Sequence, residues 1–138
     1  MREKVTAVVK NEAEKMGYAF GTGFGYRINQ TVTGFPFLWM SPPKLVGCKG
    51  RKEGRADYHV TLQLMWAGAK KTAAEKESTW AVLERDAVKL IRGIEKNNRV
   101  AEISDLQCVP GEMSLTNHGE LSMEVSFRIG IAFCSCEI

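Results

Sequence analysis

Histidine and cysteine are scarce and scattered in this chain, and no apolar run approaches the length of a membrane span. With two histidines and four cysteines, acid–base and nucleophilic catalysis lack most of their usual carriers. There is no nucleophile elbow, and the generic carboxylates leave any active site unlocated. Structural zinc normally takes four ligands, with Cys-x₂₋₄-Cys spacing. Cys134 and Cys136 supply two ligands one residue apart in an extended stretch, and nothing in the sequence brings His59, His118 or Cys108 to join them. No metal or cofactor is expected. Without a run of about 20 apolar residues no helix is expected to cross a membrane. Met1-Arg2-Glu3-Lys4 leads into an amphipathic pattern rather than an apolar signal core, so the protein is expected to stay in the cytosol where it is made. In that compartment Cys48, Cys108, Cys134 and Cys136 are expected as reduced thiols. Gly21-Thr22-Gly23-Phe24-Gly25 lacks the preceding strand, the following helix start and the Gly-Lys-Ser/Thr ending of a phosphate loop, and conformational freedom explains its glycines better.

What the chain does contain is one long alternation. From Glu120 to Cys134, Leu121, Met123, Val125, Phe127, Ile129, Ile131 and Phe133 share one face, and Glu120, Ser122, Glu124, Ser126, Arg128 and Gly130 the other, the period of a half-buried β-strand. At about 3.3 Å per residue such a run extends roughly 45–50 Å. It is therefore expected either to bend, with Gly130 the natural place, or to project and seek a partner. An apolar fraction of 44% is enough for one core, and a net charge of +3 is weaker than a dedicated nucleic-acid binder carries. A single domain is expected over 1–138.

Periodicity predicts a first helix over Arg2–Met16, stopped by Gly17. Residues 17–34 form a glycine-rich arm or loop. Phe35–Met40 is a short apolar strand with Pro36 at its start, Lys44–Cys48 a second extended piece, and 49–56 a basic hairpin loop leading to the Tyr58–Trp66 strand. Thr72–Asn97 carries Trp80, Leu83, Ala87, Leu90, Ile91 and Ile94 at helical spacing. Thr72 and Glu75 stand as a capping box, and Asn97-Asn98 as a left-handed stop. Val100–Val109 is a strand, 110–119 a polar connection, and the long alternating strand closes the chain. The expected class is α+β: an antiparallel sheet in α-β-β-α-β-β order, with two helices packed on one face and the other face wetter.

Two surfaces stand out as candidate sites. Lys49, Arg51, Lys52 and Arg55, diluted by Glu53 and Asp57, make the densest cationic cluster and would contact phosphates if several copies met in a ring, a solvated hairpin tip being the plainer reading. Gly21, Gly23, Gly25 and Arg27 lie in the arm, whose backbone can pair with a neighbour. Phe35, Phe37, Trp39, Tyr58 and Trp66 sit at strand spacing without interleaved basic residues, as core aromatics do.

The helix, the Phe35–Met40 strand, the hairpin into Tyr58–Trp66, the long helix ending near Asn97 and the final strand pair resemble the small α+β tail-completion proteins, or tail terminators, of long-tailed bacteriophages, which include related head–tail joining proteins. The resemblance covers most of the chain and rests on element order, length and strand patterning. It implies a structural virion protein without catalytic residues that assembles as a homo-oligomeric ring, often a hexamer. Such a ring caps the tail tube, stops its polymerisation and joins it to neck or connector proteins, where DNA can pass. The location implied is the virion tail or neck, after assembly in the host cytoplasm. The glycine-rich arm and Pro42-Pro43 have no counterpart in that pattern. Two other readings are a small α+β binding module or regulatory protein, and a small enzyme whose site the sequence does not locate.

Overall fold

A computed structural model describes the whole chain except residues 51–52, 69–70, 112–113, 117 and 135–138. Its centre is a pair of antiparallel strands, β4 (Glu53–Trp66) and β6 (Leu121–Cys134), defined here with α1 (Arg2–Lys15), β1 (Ala19–Thr22), α2 (Ile28–Thr31), β2 (Phe37–Met40), β3 (Lys44–Gly50), α3 (Ala73–Glu95) and β5 (Val100–Pro110). Among the described residues, six strands form one mixed sheet in the order β1-β2-β4-β6-β5, with β3 also pairing β4. The class is α+β.

β6 neither projects nor breaks at Gly130. It pairs β4 without interruption from Leu121 opposite Trp66 to Cys134 opposite Glu53, and its second edge is taken by β5. An equally long partner within the same chain meets the need that its length created. The alternation holds along it: Leu121, Met123, Val125, Phe127, Ile129, Ile131 and Phe133 are all buried, while Glu124 and Ala132 are exposed.

On that face α1 supplies Val5, Val8, Val9 and Ala13, and α3 supplies Leu83, Ala87, Leu90, Ile91 and Ile94, to one core with Tyr58, Val60, Leu62 and Leu64 of β4. Gly17, at φ +86°, ends the first helix as expected. Beyond it the Trp66 indole N–H donates to Tyr18 Oη at 2.8 Å, and Tyr18 donates to Asp86 Oδ2 at 2.7 Å. This chain of bonds ties β4 and α3 to the residue just before β1. Burial, reinforced by the hydrogen bond to Asp86, pushes the Tyr18 hydroxyl well above the usual tyrosine range.

The α3 N-terminus carries the expected Thr72 cap: Thr72 Oγ1 accepts from Glu75 N at 3.2 Å, while the Glu75 carboxylate returns to the Thr72 hydroxyl, which donates to Oε1 at 3.0 Å, rather than to the backbone N–H of a full capping box. Thr72→Ala is expected to cost about 1 kcal/mol in a urea melt, the usual worth of an N-cap oxygen. At the other end there is no left-handed stop. Lys96 remains right-handed, and Asn97 instead accepts from Arg99 N through its side chain at 3.0 Å and from Val100 N through its carbonyl at 3.1 Å, a local turn into β5.

Other expectations are corrected as well. The sheet is not wholly antiparallel, because β1 runs parallel to β2. The element order gains β1 and α2 within the arm. Of the span 49–56, Lys49 and Gly50 belong to β3 and Glu53–Ala56 to β4, each paired rather than looped, and residues 51–52 lie outside the described residues. Lys49 pairs with Arg55 and Gly50 with Gly54, so the ladder beside β6 extends the hairpin beyond what its polar composition indicates. β2 and β3 lie end to end along one edge of β4, divided at Pro42-Pro43. Ser41 keeps the hydrogen-bonding direction by donating its N–H to Thr61 O.

Candidate functional site

The sheet face away from α1 and α3 is wet over only part of its area. At one end the arm crosses it: Ile28 and Val32 pack on Phe37, Trp39 and Met65 in a second small core, with Phe35 at its margin. Trp39 is 1% exposed and donates its indole N–H to Gly23 O at 3.1 Å, while Gly23 N donates to Met40 O. Gly21 lies so close that an added Cβ would sit 2.9 Å from Phe37 Cζ and 3.1 Å from Trp39 Cε3. Of the arm residues singled out from the sequence, Gly21 and Gly23 are therefore partly covered by their own sheet. Gly25 and Arg27 face solvent beside Phe24 and Tyr26, whose rings stack at 6.3 Å.

At the other end the same face carries a charged network. Asp57, on β4, is 1% exposed. Its Oδ1 accepts from Arg55 Nε at 2.6 Å and its Oδ2 from Arg128 Nη2, on β6, at 3.0 Å, while Arg55 Nη1 reaches Glu102 Oε2 on β5 at 2.8 Å. Burial by itself would raise the Asp57 pKa. The hydrogen bonds and positive charges of Arg55 and Arg128 outweigh it, and the carboxyl stays below its ordinary range.

Gly130 faces Asp57 across the ladder, and a Cβ there would lie 2.5 Å from Arg55 Nε and 2.8 Å from Asp57 Oδ1. Room for the ion pair thus accounts for the glycine. Gly130→Ala is expected to cost about 1–3 kcal/mol by overpacking, and the cost should shrink in an Arg55→Ala background. Equal costs in both backgrounds, measured by denaturant melts, would contradict this account of the glycine.

The cationic cluster is thereby divided. Arg55 is engaged by two carboxylates, Lys49 is exposed beside it on β3, and Arg51 and Lys52 lie outside the described residues. Asp57, which in the sequence only dilutes the basic loop, anchors this network. Its signal was available: Arg55, Asp57 and Arg128 fall on the polar phase of two strands that otherwise alternate cleanly. The residues considered for metal binding are dispersed. His118 meets Phe35 edge-on, His59 is exposed on β4, and Cys108 packs against the main core. Cys48 and Cys108 are free thiols, whereas Cys134 is disulfide-bonded, contrary to the expectation of reduced cysteines. Cys136 lies outside the described residues. Among the described residues no helix is long and apolar enough to cross a membrane.

The two edges of the sheet complete the picture. β3 is exposed along nearly its whole length and presents Leu45 and Val46 at 53% and 40% exposure. β5, at the opposite edge, presents Leu106 and Val109. Fold and surface together define an α+β protein with a two-sided core, a charge-stitched open face and two unlike, partly apolar sheet edges. No protein-family model matches the chain, and no curated protein matches it.

Proposed function

We propose that this chain is a non-enzymatic structural subunit of the phage tail-completion type, closing into a homo-oligomeric ring that caps a tail tube and joins it to the head or neck. The observation that carries the reading is the pair of unlike sheet edges. Each exposes unpaired strand backbone and large aliphatic side chains, and they lie on opposite sides of one subunit. Heterologous surfaces of that kind generate closed rings when the rotation between copies closes.

The element order also supports it. With β2 and β3 taken as one interrupted edge strand, and with β1 and α2 set aside as an insertion in the arm, the remaining elements follow the α-β-β-α-β-β order of the tail-completion resemblance. The outer surface of the arm, with Phe24, Tyr26, Gly25 and Arg27 exposed, is a second contact suited to tube, neck or connector proteins. Passing contact with DNA would fall to exposed lysines such as Lys49, because Arg55 is held by Asp57 and Glu102.

The test is to add the purified protein to the tail-tube subunit of the same virus while that subunit polymerises. Elongation should stop, with the protein bound at tube ends. Undiminished growth with no bound protein would overturn the reading.

A further inference from the structure

Among the described residues, Phe24 and Tyr26 are the most exposed of the phenylalanines, tyrosines and tryptophans, at 62% and 80%. Their rings lie within 8° of parallel, with centroids 6.3 Å apart. The backbone on both sides is held. Gly23 donates its N–H to Met40 O and accepts from the Trp39 indole, while Ile28 and Val32 are set in the small core over Trp39. The pair is thus a platform on a fixed base, presented to solvent instead of folded inward.

The charge around it has one sign. From Gly17 to Lys52 the sequence has no acidic residue. Arg27, beside the pair, is exposed and among the described residues has no carboxylate partner. The bond from Gly23 to Met40 brings the platform to the end of β2, where Ser41-Pro42-Pro43 leads into β3. Lys44 follows Met40 by four residues, no more than about 14 Å along the chain. Lys44 pairs with His59 and His59 with Arg128, while Lys49 pairs with Arg55. Directly paired residues project to the same side of a sheet, so both lysines stand on the open face that the arm crosses. The carboxylates of that face beside them, Asp57 and Glu102, are already held by Arg55 and Arg128. Glu124 lies in the row of Gln63 and Trp39, two strands from β2.

We propose that the arm and the adjoining part of the open face form a site for single-stranded nucleic acid. An unpaired base stacks on the outer side of the Phe24–Tyr26 pair, and Arg27, Lys44 and Lys49 meet the phosphates that follow. Aromatic faces accept any base, and a row of cations tracks the backbone, the two parts of sequence-tolerant recognition of a single strand. The site goes beyond the ring reading and does not depend on it.

The test is fluorescence anisotropy of a labelled oligothymidylate of about 15 nucleotides, near the upper site size of one small binding domain, titrated with the full chain across a salt series. An abasic strand of the same length carries the phosphates alone, and oligouridylate replaces the sugar. At least one of the two base-bearing strands should bind about tenfold tighter than the abasic strand, and the tighter of them identifies the sugar. Phe24→Ala with Tyr26→Ala should weaken that binding about tenfold or more and leave the salt slope unchanged. Lys44→Ala with Lys49→Ala should lower the slope of log K against log salt by about 1.4, from roughly 0.7 per phosphate contact on a single strand. All four side chains are exposed, and circular dichroism checks that the variants keep the fold. An aromatic variant that binds as tightly as the wild type, or an abasic strand that binds as tightly as the others, would overturn the stacking site. No binding of any strand at about 50 mM salt, where phosphate contacts are strong, would overturn the proposal and leave the pair as a contact for a protein partner.

Discussion

Trp39→Ala is expected to destabilise the protein by about 3–5 kcal/mol, the range for truncating a large buried aromatic, and to detach the arm from the sheet. Trp39 is 1% exposed, forms the floor under Ile28 and Val32, and donates to Gly23 O. Its loss removes both the apolar contact and the bond that fixes where the arm begins to cross. The main core lies on the other face of the sheet and keeps Leu38 and Met40 of the same strand. Two readouts should therefore separate: a lower denaturation midpoint for the whole chain, and protease cleavage within 23–35 under conditions where the rest is protected. Cleavage at an unchanged rate in the variant would show that Trp39 does not hold the arm.

The second large effect belongs to the charged network. Removing both guanidinium partners of Asp57, in Arg55→Ala with Arg128→Ala, strips the carboxylate of two charge-assisted hydrogen bonds while uncovering it on the open sheet face, and is expected to cost about 1.5–3 kcal/mol. Each single substitution should cost much less than half of that, because the remaining arginine still pairs with the carboxylate, so the double-mutant cycle should be strongly non-additive.

The pH dependence follows from the direction of the shift. Asp57 titrates lower in the folded chain than its ordinary value of 3.8. Its contribution is complete at pH values above 3.8 and is lost as the pH falls through the depressed folded value. The stability difference between wild type and Asp57→Asn should accordingly be constant near neutrality and narrow in strong acid. A difference independent of pH down to the acid limit would contradict the pairing.

Much of this architecture was legible in the chain, for identifiable reasons. β6 and α3 are long, and each repeats one period over many residues, so their burial patterns could be read directly from Leu121–Phe133 and from Leu83–Ile94. Thr72 and Glu75 mark a helix start by local chemistry alone. The arm was opaque because the two residues it turns inward, Ile28 and Val32, stand among exposed aromatics, Phe24 and Tyr26, and polar and glycine positions, with no period to sort them. Their partners Trp39 and Met65 lie on strands whose other faces build the main core. A parallel β1–β2 pair joined by a short helical crossover leaves no periodic signature of its own.

Asp57 was misjudged for a different reason. A carboxylate among lysines and arginines looks like dilution of charge in one dimension, and only the β4–β6 register brings Arg128 and Gly130 against it. Gly130 stands out in the sequence as the place for a bend, one of two expectations for so long a strand, but the side chains of Arg55 and Asp57 that fill the space it leaves are visible only in the fold. The overlong strand correctly pointed to a need for pairing. The chain meets that need itself, with β4 and β5 flanking β6, and the strands at the edges of the sheet are β1, β3 and β5.

The central claim is that these edges close copies of the chain into a ring, and native mass spectrometry tests it most directly by counting subunits across a concentration series. The account predicts one discrete closed species, with the same subunit number at every concentration at which it forms. A monomer throughout, or an open series growing steadily with concentration, would contradict it.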